Sequence, residues 1–500
     1  MELEFQEMTT QYLRRLLSKT QFHEEETELA LPDSYPDADR VLTGSAVVTM
    51  RGKEQTGTAI TVTGAVHADV LYAAQEGGEL WHMEAYLPFT LRVDAPEASD
   101  GAVLEARPWV RSVDTRIASP RRLVTRVNIG CTVEAYEPAA VTFYQPQDVP
   151  QSVQLRMAQY PLTLAVDAGE KQFRLTEEIE LPPGAKLGET ILSYSPQLEI
   201  TERRLAGNKA AFKGMAHLHV LYTDETGKPT SHDARFPFSQ YCELGEVYDD
   251  ETLEVIPVVT ECEVSRVTRA AGSALGLDLH VLAQCLVLRR TSVPVCEDAY
   301  CLQGELTPQR EEIVLPGRLD SAVCTCSVRE QIPGDVREVI DAQALPDQPE
   351  LRRSGGDAEL AIPCTASVLY YDSAGLPQSA TMHIRSAEPF ALAENASCDA
   401  QAMPVLDLSV SATADGAEVR CTLAAQTVSS ATERHAALRG VEVTDAAEKR
   451  RSAVVARRCA AGETLWDIAK ANRTTVDRIR RANGIEGNDV PTAAMLLIPV

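Results

Sequence analysis

The sequence predicts a mainly β fold: three tandem β-rich domains followed by a small α+β module in the order strand, helix, helix, strand. Three observations predict it. A set of four features recurs three times with a period near 150 residues. The segments carrying those features alternate apolar and polar residues with the period of two that a half-buried strand requires. The last fifty residues alone carry paired helix-start signals and a glycine stop.

Residues 1–20 are the exception to the β pattern. Phe5, Met8, Tyr12, Leu13, Leu16 and Leu17 fall at i, i+3, i+4 spacing, which predicts an amphipathic helix over 3–17. Such a helix packs on the first β domain or presents its apolar face to a partner.

The repeat begins with an apolar-proline step at Leu31-Pro32, Leu181-Pro182 and Ile332-Pro333. The strand motif Val70-Leu71-Tyr72 returns as Val220-Leu221-Tyr222 and Val368-Leu369-Tyr370. A turn-rich tetrad follows each tyrosine (Gln75 to Gly78, Asp224 to Gly227, Asp372 to Gly375), where glycine takes a positive φ at little cost. A Pro-Phe pair closes each set at Pro88-Phe89, Pro237-Phe238 and Pro389-Phe390. Further strands are expected over Leu123–Tyr136, Leu275–Leu288 and Val405–Ala424. The domains are set at 21–138, at 139–295 and at 296–443, the second and third including connecting stretches that supply extra strands. A linker at 444–452 leads to the final module at 453–500.

In that module a strand at Val454–Cys459 meets the turn Ala460-Ala461-Gly462. Thr464-Leu465-Trp466-Asp467 has the spacing of a capping box, with Leu465, Ile468 and Ala469 on the inner helix face. A second box, Thr474 to Asp477, opens a helix that turns Val476, Ile479 and Ala482 inward and stops at Asn483-Gly484. Leu496-Leu497-Ile498 makes the last strand.

The run from Gly462 to Ala469, with Thr475-Val476, Asn483-Gly484 and Leu497-Ile498-Pro499, resembles a LysM domain, although Cys459 stands where valine is usual and Pro491 to Ala494 replaces the usual Pro-Gly step. The resemblance implies a shallow groove for N-acetylglucosamine polymers formed by Gly462, Glu463, Thr464, Leu465, Gly484 and Ile485. Trp466 beside it is a candidate anchor for a partner, or a packing residue of the first helix. The repeats in turn resemble the SPOCS domain of clostridial spore-coat and spore-cortex proteins, through Leu31-Pro32-Asp33, Pro36-Asp37, the Val-Leu-Tyr strand and the Pro-Phe step. SPOCS repeats followed by one LysM resemble the SipL-like spore-coat morphogenetic proteins. That resemblance implies a sporulation adaptor in the mother-cell cytoplasm, at the forespore surface or in the spore coat. Its partners would be a SpoIVA-like coat ATPase, other coat proteins or an N-acetylglucosamine glycan.

Charge narrows the partners. The 47 basic and 73 acidic residues leave −26 overall, which repels phosphate backbones and anionic lipid. Residues 453–500 hold seven basic and five acidic residues, a net of +2, so the first 452 carry −28. The module's arginines, Arg457, Arg458, Arg473, Arg478, Arg480 and Arg481, suit an acidic partner or plain solvent. No transmembrane stretch or basic leader stands in the sequence, so the chain is expected to be cytoplasmic, with its 12 cysteines as free thiols.

The sequence also lacks a phosphate loop, a G-x-S-x-G elbow and an H-E-x-x-H helix, so it reads as a non-enzyme without cofactor or catalytic residue. His217 and His219 share a strand face without an evident third ligand. Cys296, Cys301, Cys324 and Cys326 have irregular spacing for a zinc site and are expected to be buried thiols, so no metal is assigned.

Overall fold

The computed structural model describes residues 2–74, 79–99, 101–182, 185–269, 272–317, 320–354, 357–394, 396–445, 453–460, 462–487 and 495–499. The chain is mainly β, with two short helices near its end. In chain order, the first copy of the repeat is built from β1 (Glu2–Ala30), β2 (Ala38–Thr56), β3 (Ala59–Ala74), β4 (Leu80–Asp94), β5 (Val103–Ser119) and β6 (Arg122–Pro146). The second uses β7 (Val153–Ile179), β8 (Leu187–Asp224), β9 (Pro229–Tyr248), β10 (Thr252–Arg269) and β11 (Gly272–Cys301). After β12 (Gly304–Leu315), the third uses β13 (Asp320–Pro333), β14 (Glu338–Pro346), β15 (Glu350–Ser354), β16 (Asp357–Tyr371), β17 (Pro377–Pro389), β18 (Ser397–Ala402), β19 (Ser409–Thr413) and β20 (Gly416–Ser430). The end of the chain holds β21 (Glu433–Asp445), β22 (Val454–Arg458), α1 (Leu465–Asn472), α2 (Val476–Asn483) and β23 (Met495–Pro499).

Each copy pairs two antiparallel sheets. In the first, β2-β3-β4 lies against β5-β6-β1; in the second, β8-β9 against β10-β11-β7; in the third, β14 to β17 against β13-β20-β18 with β19. Alternation on the strands buries one face of each sheet, so each sandwich has its own core. The motif tyrosines are buried, Tyr222 and Tyr370 in those cores and Tyr72 in an adjoining cluster with Leu31, and the Tyr72 hydroxyl donates to the Pro36 carbonyl at 3.3 Å. Leu31 of the apolar-proline step packs in the same cluster as Tyr72, so step and tyrosine are buried together.

The Pro-Phe step has an equally physical reason. Gly64 faces Phe89 across the β3–β4 pair, and Gly214 faces Phe238 across β8–β9. A Cβ on either glycine would collide with that phenyl ring and with the carbonyl of Thr49 or Glu199, respectively. The ring therefore occupies the space a side chain would take. In the third copy the equivalent pair is Ile362 and Ser386; Pro389 is the last residue of β17, and Phe390 lies four residues beyond Ser386, just past the strand's end. There the Pro-Phe match in sequence is not a match in register. Gly214→Val is expected to destabilise the chain by about 3 kcal/mol, because a backbone carbonyl cannot move aside as a side-chain tip can; urea unfolding measures it.

The tetrads after the motif are turns in the second and third copies, where the side chains of Asp224 and Asp372 each accept two backbone N–H bonds and Gly227 and Gly375 hold positive φ. Gln75 to Gly78 lies outside the described residues.

The middle residue of the motif points out of its own core. Leu71, Leu221 and Leu369 meet one another, joined by Leu42, Leu192 and Ile340, in a single apolar cluster between the three sandwiches. Two bulges aim residues into it: the β2–β3 register skips Leu42, and the β14–β16 register skips Ile340. Each copy thus contributes the same two positions to a pseudo-threefold contact.

Polar links close the same interfaces. Arg111 holds Asp347 through two bonds of 2.7 and 2.6 Å between copies one and three. Gln284 of copy two bonds both the N–H and the carbonyl of Ala106 in copy one, at 2.9 and 3.0 Å. His219 of copy two sits between Asp233 and Asp341, at 2.7 Å from each. Burial opposes its charge, but the two carboxylates outweigh that and raise its pKa to about 10.

The helix expected over 3–17 is a strand. β1 pairs with β6 from Phe5↔Pro146 to Ala30↔Arg122, with one bulge between Arg15 and Leu17. Its two faces enter different cores, Tyr12 in one and Leu13 in another, and Leu17 in a third. Apolar residues on both faces, with a phase shift at the bulge, reproduce helical spacing in an extended chain. The connecting stretches also become strands. The start of β1, the ends of β6 and β11, the start of β7, and β12 with β21 build a stem with its own core around Val141, Leu164, Val295 and Ile313. Val405 to Leu408 is not strand; the hairpin of β19 and β20 follows it. Residues 444–445, expected to be linker, belong to β21, and 446–452 lie outside the described residues.

Candidate functional site

The module after residue 452 is held together by its caps. Thr464 accepts from the Asp467 N–H at 3.2 Å while the Asp467 carboxylate accepts from the Thr464 N–H at 3.1 Å, a complete capping box that draws the Asp467 carboxyl below its usual range. The second helix begins one residue later than expected: Thr475, not Thr474, is its cap and accepts from the Arg478 N–H at 3.2 Å. Thr474 is instead fully buried. Gly484 ends α2 with φ 67°, and the neighbouring Asn483 side chain bonds both the N–H and the carbonyl of Leu497 at 2.7 Å, tying helix to strand. Strands β22 and β23 pair from Val454↔Pro499 to Arg458↔Met495. Ala482, expected inward, is exposed, whereas Ile479 is buried.

The seven residues predicted to bind divide into three groups. Gly462, Thr464 and Gly484 are exposed; Glu463 and Ile485 are half-buried. Glu463 accepts from Arg457 and from the Ala460 N–H, so its carboxylate braces the turn before α1. Leu465 is 2 % exposed and belongs to the module core. Pro491 to Ala494 lies outside the described residues.

Trp466 turns back onto its own chain. Its indole N–H donates to Asp298 on β11 at 2.8 Å, and its ring meets Tyr300 edge-on with centroids 4.8 Å apart. Lys470 bonds the same carboxylate at 2.8 and 2.7 Å. The Tyr300 hydroxyl donates to the Thr474 carbonyl at 2.7 Å, and Arg473 reaches Glu305 at 3.4 Å. Burial disfavours the Asp298 charge, but Lys470 and the indole N–H outweigh it and hold the carboxyl below the usual carboxylate range. Asp298 and Tyr300 therefore fix the module to the stem, and Trp466 is the predicted binding residue that meets them. Neither residue carries a sequence signal, since alternation alone does not separate a docking position from an ordinary strand residue.

A family model described as LysM domain matches residues 460–499, and one described as SipL, SPOCS domain matches residues 189–267. The chain carries a SipL-type SPOCS domain and a C-terminal LysM domain. The SPOCS match covers most of β8 to β10, within the second copy. The LysM match covers the capped helices and β23. Together they fit a sporulation protein bearing a LysM module. No curated protein matches the chain. Among solved structures, the ferric yersiniabactin uptake receptor FyuA from Yersinia pestis is 11 % identical, with 86 % of this chain and 80 % of that one covered, at a TM-score of 0.10.

The other candidates fall apart in space or into ordinary roles. Cys296 and Cys301 end β11, whereas Cys324 and Cys326 lie on β13 in the third copy, and the Cys326 thiol contacts Ser386 and Glu388. His217 meets Glu199 at 3.3 Å and His219 bridges two aspartates, so each imidazole has a carboxylate partner. No helix among the described residues is long and apolar enough to cross a membrane.

Proposed function

We propose that this chain is a non-enzymatic adaptor of spore-coat assembly, whose LysM domain binds a SpoIVA-like coat ATPase at the forespore surface. The observation that carries the reading is the union of a SPOCS domain with a LysM domain in one chain. The first and third sandwiches are, on this reading, SPOCS domains as well; the shared positions of Leu71, Leu221 and Leu369 support that. The strongly acidic scaffold and the less acidic tail favour a partner that meets the tail first. Gly462, Thr464, Gly484 and Ile485 form the contact surface, with Glu463 and Leu465 holding its shape and Trp466 fixing the module to the stem.

The LysM match itself favours a second reading, binding of an N-acetylglucosamine polymer in the same groove. Incubating the full chain separately with the purified ATPase and with insoluble peptidoglycan distinguishes them. The adaptor reading expects retention by the ATPase and a supernatant unchanged by peptidoglycan. Depletion by peptidoglycan with no retention by the ATPase replaces it with the second.

A further inference from the structure

On the outer face of the first copy's β3–β4 pair, His67, Asp69 and Glu84 offer one ligand atom each within 4.8 Å of one another. Asp69 is 2 % exposed, and its two oxygens are in different situations. His82 Nε2 lies 2.9 Å from Oδ1, while Oδ2 is buried without a hydrogen-bond partner. His67 Nδ1 is likewise buried without a partner, 3.9 Å from that oxygen. Glu84 Oε2 lies 3.7 Å from His67 Nε2. The His67 ring is stacked on Tyr194 of the second copy, at 5.5 Å between centroids, so the group sits at the contact between two sandwiches. An unpaired carboxylate oxygen in such a position is costly unless a cation meets it.

The second copy shows how the same place is neutralised there. Its positions equivalent to His67, Asp69 and Glu84, counted back from the motif tyrosine and across the strand pair, are His217, His219 and Asp233. There the imidazole of His219 lies between two carboxylates, Asp233 and Asp341. In the first copy the central residue is itself a carboxylate, and the positive group is missing from the centre.

We infer that His67, Asp69 and Glu84 form a zinc site between the first two sandwiches, with His82 holding the second oxygen of Asp69. Mixed imidazole and carboxylate donors suit zinc, which takes such ligands at about 2.0–2.2 Å, and solvent supplies the fourth position. One nitrogen of His67 binds, and the exposed Glu84 swings in to close the set. His82 is the positioning residue: it orients Asp69 as outer partners of metal ligands do. The ion would join two copies by fixing His67 against Tyr194, a role independent of the tail and its partner.

The test is calorimetric titration of the EDTA-stripped full chain with zinc chloride, beside cobalt loading read by visible absorption. The expected result is one ion per chain, a cobalt spectrum without thiolate charge transfer, and at least tenfold weaker binding in Asp69→Asn and in Glu84→Gln. Glu84 is exposed, so its variant keeps the test valid if Asp69→Asn misfolds. Absence of zinc binding, a thiolate spectrum from the cysteines, or equal affinity in Glu84→Gln overturns the inference.

Discussion

Replacing Leu221 by Asp is expected to cost more than about 4 kcal/mol and to break the cooperative unfolding of the three sandwiches into separate transitions. Leu221 is 0 % exposed and meets Leu71 and Leu369 in the cluster to which each copy contributes its motif leucine. A truncation to Ala there already removes about 2–5 kcal/mol, through lost transfer energy and the cavity left behind. An aspartate adds an unpaired buried charge, which places it among the few substitutions with exceptional effects. Urea unfolding followed by fluorescence and far-UV circular dichroism measures both the midpoint and the coincidence of probes. Val247→Asp is the control: that valine is 69 % exposed, so its variant should stay within about 0.5 kcal/mol of the parent.

The second large effect concerns the mooring of the LysM domain. Asp298→Ala removes the acceptor of the Trp466 indole and the partner of Lys470 together. Lys470 keeps some solvent, so the cost is about 1–3 kcal/mol rather than the larger figure for a fully buried pair. Amide exchange in 465–472 should rise tenfold or more for each ~1.4 kcal/mol lost, while the stem around Val141 and Leu164 keeps its protection. The pH dependence follows from the lowered carboxyl of Asp298. A group whose folded pKa is depressed contributes stability above its unfolded value of about 3.9, and that contribution fades as pH falls through the folded value. Docking should therefore be constant from about pH 5 to pH 8 and weaken only below about pH 4. Asp298→Asn, which keeps the shape without the charge, should lose that acid dependence.

What could be read from the sequence was whatever the chain encodes locally. Turn aspartates and glycines, the Val-Leu-Tyr strand and the caps at Thr464 and Gly484 each act within a few residues, so their pattern and their structure agree. The repeat also announced the sandwiches, because each copy must bury its own tyrosine beside an apolar-proline step. The misreadings share a cause. β1 crosses from stem to sandwich and buries residues on both faces, which erased the period of two that marks a strand. Pro389-Phe390 repeats the letters of the other copies but not their register, because Ile362 fills the place that Gly64 and Gly214 leave for phenylalanine.

Contacts between copies were silent for a further reason. Leu42 and Ile340 reach the pseudo-threefold cluster through bulges, which no hydrophobic pattern records. In the LysM domain, the capping pattern placed Leu465, Ile468 and Ala469 inward as they are, but misjudged the depth of Ala482, which is exposed. Trp466 reads as a partner anchor or as a packing residue; only the position of Asp298, far away in sequence, decides where its indole goes.

The central functional claim is that the LysM domain is the docking head of the scaffold. The most direct measurement compares the affinity of a purified SpoIVA-like ATPase for the full chain and for the chain ending at Ser452, by biolayer interferometry. Circular dichroism of the shortened chain serves as the check on its β structure. The account predicts that binding is lost on truncation while the β signal persists. Undiminished affinity in the shortened, folded chain would contradict it and transfer the docking role to the sandwiches.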